Sequence, residues 1–202
     1  MLIILSSLKQ KYTYPEFNYF ESGYWKRLKK MAKTIYLARH AKSAWDSAAP
    51  TDFDRPLSDR GMGDAIRMGR ELDKRSWKPE KMIASPALRS QLTCLAYCDC
   101  LGINEQEVVW SDDFYAAYMV TLLQSLTALS EGVNSVMLVG HNPAMEDLLL
   151  HLCDGQAVQN YYQKNGKLFT TGNVAKISVE GEWEKLLMLG ANLEEILRPK
   201  AL

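Results

Sequence analysis

Three short stretches of this chain put cationic or imidazole side chains directly after apolar runs. Arg39-His40-Ala41-Lys42-Ser43 follows residues 34–38, Ser85-Pro86-Ala87-Leu88-Arg89 follows Lys81–Ala84, and His141-Asn142-Pro143 follows Ser135–Gly140. Two arginines and two imidazoles brought together would suit a phosphoryl group. The guanidinium fork pairs two oxygens at once, and a neutral imidazole has a lone pair with which to attack phosphorus. The sequence has 3 histidines, and two of them fall at these positions. The other, His151, lies ten residues beyond His141 in an apolar helical pattern and reads as a partly buried helix residue. Taken singly, Arg39 or Arg89 reads equally as a surface ion-pair partner, and His141 as a residue that caps or packs. Their shared placement favours a common site.

The elements that would position them follow from pattern. Residues 34–38 are short, apolar and partly β-branched, as a buried strand requires, and the same holds for Lys81–Ala84 and Ser135–Gly140. Ser85 suits a helix N-cap with Pro86 first in the helix, which puts Arg89 on the first turn. Asn142 and Pro143 repeat that arrangement ahead of Met145, Leu148, Leu149 and Leu152. Met62, Ala65, Ile66, Met68, Gly69 and Leu72 recur at helical spacing, and a further helix is expected over residues 118–129. Strands alternating with helices argue for an α/β fold of three layers, a mostly parallel sheet with helices on both faces. Ligands of such sheets bind beyond the carboxyl ends of the strands, where all three cationic stretches would converge.

The 24 basic residues balance the 24 acidic ones. Without a global basic field, nucleic acid and membrane surfaces are not expected partners, and anion recognition must be local. Three of the 4 cysteines crowd into one expected helix, with Cys94 and Cys98 sharing a face. No histidine is near to complete a ligand set, so buried thiols in a reducing, cytoplasmic setting are expected and no metal site. Gly61-Met62-Gly63 follows no strand, and Ile66 stands where a dinucleotide fingerprint needs glycine, so no nucleotide cofactor is expected. Residues 1–30 carry seven aromatics, Tyr12, Tyr14, Phe17, Tyr19, Phe20, Tyr24 and Trp25, in no steady period. Neither a signal nor a transit peptide fits them. Residues 1–30 are expected to be a disordered or non-native N-terminal extension, Met31 the natural start, and 31–202 one domain.

Four segments carry a resemblance. Leu37-Ala38-Arg39-His40-Ala41-Lys42-Ser43, Asp54-Arg55-Pro56-Leu57-Ser58-Asp59-Arg60-Gly61, Ser85-Pro86-Ala87-Leu88-Arg89-Ser90-Gln91-Leu92-Thr93 and Val139-Gly140-His141-Asn142-Pro143 stand in the order and approximate spacing of the histidine phosphatase superfamily, which has a phosphoglycerate mutase-like fold. Within it the chain resembles the SixA-type phosphohistidine phosphatases, over about residues 33–189. The resemblance implies a nucleophile at His40, a phosphate clamp of Arg39 and Arg89, and a second imidazole at His141. It adds a phosphate or substrate contact at Arg55, which also reads as an arginine tying down a loop. It implies no cofactor.

Three departures bear on activity. Ala41 stands where the family usually has glycine, which is tolerable if its φ stays negative. Asp46 follows Trp45 where the mutases have a phosphate-binding asparagine, which argues against a mutase. Ser111-Asp112-Asp113-Phe114-Tyr115 lacks the glutamate expected of a leaving-group acid, leaving Asp113 or Tyr115 as candidates. A phosphoramidate, whose bridging nitrogen can carry its own proton, is then the easier substrate. The partner implied is a phosphorylated protein bearing phosphohistidine, or a small phosphorylated substrate. A broad phosphomonoesterase and a non-catalytic phosphoprotein-binding module on the same fold are the other readings.

Overall fold

Residues 32–186 and 190–202 are described in the computed structural model. The expectation of an N-terminal extension over residues 1–30 falls outside them. A six-stranded sheet forms the middle layer, from β1 (Ala32–Arg39), β2 (Lys81–Ala84), β3 (Val109–Trp110), β4 (Ser135–Gly140), β5 (Val174–Glu180) and β6 (Ala191–Leu197). Its order is β3-β2-β4-β1-β5-β6. Pairs among β1, β2, β3 and β4 are parallel, whereas β5 runs antiparallel to both β1 and β6.

Alternation along the central strands divides their side chains between two apolar layers. Ile35, Leu37, Val136 and Leu138 join one, with α3 (Met119–Thr127) and α4 (Ala144–Leu152) packed over them. Tyr36, Ala38, Met137 and Val139 join the other, against α1 (Asp59–Lys74) and α2 (Leu88–Leu101). Burial on both faces is why β1 and β4 read as nearly continuous apolar runs. The three-layer α/β expectation is thus met. Cys94, Cys98 and Cys153 are buried free thiols, and Cys100 is half-buried. Among the described residues no helix is long and apolar enough to cross a membrane.

The helix starts differ from expectation in an informative way. α1 has a side-chain cap, the Ser58 hydroxyl accepting from the Gly61 amide at 3.1 Å. α2 starts at Leu88 behind Ala87, and α4 at Ala144 behind Pro143, neither with a side-chain cap. Ser85 and Asn142 are therefore not caps: both helices start further along the chain, the Ser85 hydroxyl meets His141, and the Asn142 amide nitrogen donates to Glu146 and to the Phe169 carbonyl. Arg89 does fall in the first turn of α2. Two glycines hold the loop after β1. A Cβ on Gly61 would lie 1.9 Å from the Lys42 carbonyl oxygen, so only glycine lets α1 start against that loop. Gly172 has φ +78° and donates its amide to the carbonyls of Arg39 and His40 at 3.1 and 3.0 Å.

Candidate active site

The parallel ladder sets Arg39 beside Gly140 and Ala84 beside Val139, so β1, β2 and β4 end at one level. Beyond that level the rings of His40 and His141 lie 5.0 Å apart between centroids. His40 Nδ1 is 2.7 Å from the Ala41 carbonyl oxygen, which can only accept. Nδ1 therefore carries the proton and Nε2 keeps its lone pair. The ring is 8% exposed. Burial above all, then the His141 ring and the charges of Arg89 and Arg39, lower its pKa to about 3, against the Ala41 hydrogen bond, which raises it. The flanking arginines depress His40, but desolvation is the larger cause.

His141 Nε2 is 2.9 Å from the Ser85 hydroxyl and 3.4 Å from that of Ser90. Its pKa falls to about 4, through burial first and then Arg89, with Asp52 opposing. Both imidazoles are neutral near pH 7. His151 is exposed in the last turn of α4, not partly buried as expected, since α4 ends one residue later and turns that position outward.

The arginines are held from behind. Arg39 donates from Nη1 to the Phe169 carbonyl at 2.7 Å, and Asn142 donates to the same oxygen at 3.0 Å. Arg89, 6% exposed, donates from Nη1 to the Asp52 carbonyl at 2.6 Å and from Nη2 to the Asp52 carboxylate at 3.0 Å. Arg55 donates from Nε and Nη2 to Asp52 at 3.1 and 2.7 Å, from Nη1 to the Ser43 hydroxyl, and stacks 3.8 Å from the centre of the Trp45 ring. With these bonds made, Arg39 Nε, Arg89 Nε and His141 Nδ1 are buried and have no partner. Buried donors rarely stay unpaired, and their convergence at strand ends is the arrangement an anion would satisfy.

Ala41 is buried and donates its amide to the Thr93 hydroxyl at 3.0 Å. It is not among the residues of positive φ, so it replaces glycine without strain. Asp46 is exposed, next to the exposed Trp45. Tyr115 stands edge-on to His141 at 6.2 Å, and Asp112, Asp113 and Tyr115 line a neighbouring cleft of about 490 Å³.

Several participants escape sequence reasoning. Asp52 lies in the polar loop before the Asp-Arg-Pro-Leu segment, with nothing local to mark it, yet it joins Arg55, Arg89 and Tyr115. Phe169 acts through its backbone. Ser85 reads from sequence only as a helix cap, and Ser90 only as part of the segment from Ser85 to Thr93.

Residues 35–114 match the histidine phosphatase superfamily (branch 1). The phosphohistidine phosphatase SixA of Escherichia coli is 28% identical over 153 residues, spanning 72% of this chain and 85% of that protein. The solved structure of SixA from Agrobacterium tumefaciens is 30% identical with a TM-score of 0.68, covering 83% of this chain and 98% of that one. A phosphoglycerate mutase from Bacillus anthracis, 13% identical with a TM-score of 0.54 over 81% of this chain and 92% of its own, shares the fold alone.

Proposed function

The chain belongs to the histidine phosphatase superfamily, and from that premise we propose that it is a SixA-type phosphohistidine phosphatase acting on a phosphorylated protein. The observation that carries the reading is the convergence of three unpartnered buried donors, Arg39 Nε, Arg89 Nε and His141 Nδ1, around a neutral imidazole with a free Nε2. His40 Nε2 attacks phosphorus in line while Arg39 and Arg89, with Arg55 at the rim, hold the phosphoryl oxygens without reorganising. If Ser85 donates to His141 Nε2, His141 Nδ1 carries the proton that reaches an oxygen. The His40 Nδ1 proton on the Ala41 carbonyl steadies the positive ring that forms when Nε2 bonds to phosphorus. Water then hydrolyses phospho-His40. No step needs a metal.

Substrate choice follows from proton supply. An alkoxide leaving group needs an acid, whereas an imidazole leaving group protonated on its far nitrogen leaves neutral. The free, buried thiols fit a cytoplasmic setting. One observation favours a broader phosphomonoesterase: Asp113 and Tyr115 line the adjoining cleft, where either would be the acid. Kinetics on a phosphohistidine peptide beside several alkyl phosphates separate the two. The proposal expects kcat/KM on the peptide to exceed that on alkyl phosphates by about a hundredfold or more, the effect of one missing proton donor. Equal or better turnover of alkyl phosphates would favour the esterase.

A further inference from the structure

Asp52 puts a carboxylate in the middle of an anion clamp, where it competes with the phosphate the clamp would hold. Oδ1 accepts from Arg55 Nε and Nη2 at 3.1 and 2.7 Å, and Oδ2 from Arg89 Nη2 at 3.0 Å and the Tyr115 hydroxyl at 3.3 Å. Tying arginines in place does not require the negative charge, because Arg89 also holds the Asp52 backbone carbonyl and Arg55 holds Ser43 and Trp45. The charge calls for its own explanation.

Position suggests one. The side chains of Arg89 and Arg55 are 7% and 11% exposed, that of Asp52 52%, so its carboxylate stands on the solvent side of the clamp while His40 lies beneath. In-line attack by the buried His40 sends the leaving group to the open side of the pocket, the side to which greater exposure assigns the Asp52 carboxylate. Hydrogen bonds from Arg55 foremost lower its pKa, which keeps it ionised and useless as a leaving-group acid. An ionised carboxylate beside a leaving group favours one that carries positive charge or an N–H.

We propose that Asp52 is a specificity-determining residue, accepting the N–H of the leaving imidazole and so selecting phosphorus bound to a ring nitrogen. The proposal rests on the phosphohistidine reading above. In the reacting substrate one ring nitrogen bears the phosphoryl group and the other a proton, giving the ring a positive charge. His40 Nε2 forms its bond to phosphorus as the P–N bond breaks, the pair of that bond returns to the leaving nitrogen, and the imidazole departs neutral with its N–H still on Asp52. No proton is transferred. Tyr115, the longest of the four contacts to the carboxylate, is the donor this N–H displaces. His40 uses the same device in reverse, its Nδ1 proton resting on the Ala41 carbonyl.

The test compares Asp52→Asn with wild type on a phosphohistidine peptide and on p-nitrophenyl phosphate, whose phenolate leaves without a proton. Asparagine keeps the size and the backbone carbonyl but loses the charge. The expected result is a fall of about tenfold or more in the ratio of kcat/KM on the peptide to kcat/KM on the aryl phosphate, whatever loss is common to both, the range of a charge-assisted hydrogen bond. Circular dichroism and denaturant titration of the variant report that it is folded. Equal losses on both substrates, or none on either, would overturn the role of Asp52 while leaving the nucleophile untouched. A wild type that turns over the aryl phosphate and not the peptide would instead overturn the phosphohistidine reading, and this inference with it.

Discussion

The two ends of the same sheet differ in what they leave unpaired. At the amino ends of the strands lies a cavity of about 540 Å³ lined by Lys78, Glu80, Met82, Gly102, Ile103 and Asn104 among others. Its polar groups answer one another: Glu80 takes the Asn134 amide at 2.7 Å, and Lys78 donates to the Gly102 carbonyl at 3.3 Å. None of its lining residues holds an unpartnered buried polar atom. The carboxyl end leaves Arg39 Nε, Arg89 Nε, His141 Nδ1, Asn142 Oδ1 and Asn173 Nδ2 buried without partners beside two neutral imidazoles. The difference teaches that size does not identify the site here. Donors left buried and unpaired favour the carboxyl end, because a bound anion would satisfy them.

The sharpest way to break that contrast is to empty the clamp. Arg89→Ala should lower kcat/KM by about 10²- to 10³-fold, the scale of one preorganised oxyanion donor, in steady-state assays on a phosphohistidine peptide. An effect under threefold would remove Arg89 from the chemistry. Gly61→Ala attacks the support of the site, since its new Cβ would meet the Lys42 carbonyl 1.9 Å away. It should cost about 1–3 kcal/mol in denaturant titrations, as overpacking does, and lower turnover with it by shifting the loop that carries His40.

Ser85→Ala leaves His141 Nε2 without its 2.9 Å partner and should cost about fivefold in kcat, from one neutral hydrogen bond of about 1 kcal/mol. At the other end of the sheet, Asn104 caps a short turn through its bond to the Gln106 amide. Asn104→Ala should cost about 1 kcal/mol of stability and leave turnover unchanged; altered turnover would end the distinction between the two ends.

Acid should separate folding from catalysis. His40 and His141 are held at about 3 and about 4, below the ordinary 6.5. Below pH 6.5 the unfolded chain binds protons that the folded one refuses. Their contribution to stability is complete above 6.5, declines as pH falls toward 4, and stops changing below about 3. Chemical denaturation at a series of pH values should show that slope, and His141→Asn should reduce it. kcat/KM, which needs His40 neutral, should show no acid limb between pH 8 and about 5. An acid limb near pH 6.5 would mean that His40 is not desolvated as described.

What could be seen in advance follows from locality. β2 and β4 read correctly to the residue because each is a short apolar run cut off by a charged or turn-forming residue. His40, Arg39, Arg89 and His141 come together because strand ends in a parallel sheet share a level, a consequence of topology that alternation already implies. β5 shows Ala175, Ile177 and Val179 buried in period 2, but a bulge between Lys176 and Ile177 shifts its pairing with β6, whose own pattern does not alternate. Asp52 was illegible for another reason: its partners Arg89 and Tyr115 lie 37 and 63 residues away. Ser85 and Asn142 had the right residue types for caps, and tertiary partners claimed them instead.

The central claim is that His40 takes the phosphoryl group. Rapid-quench labelling with a radiolabelled phosphohistidine peptide should trap phosphate on His40 of the wild type, while His40→Ala should show neither label nor turnover. Full activity in His40→Ala, or label on any other residue, would contradict it.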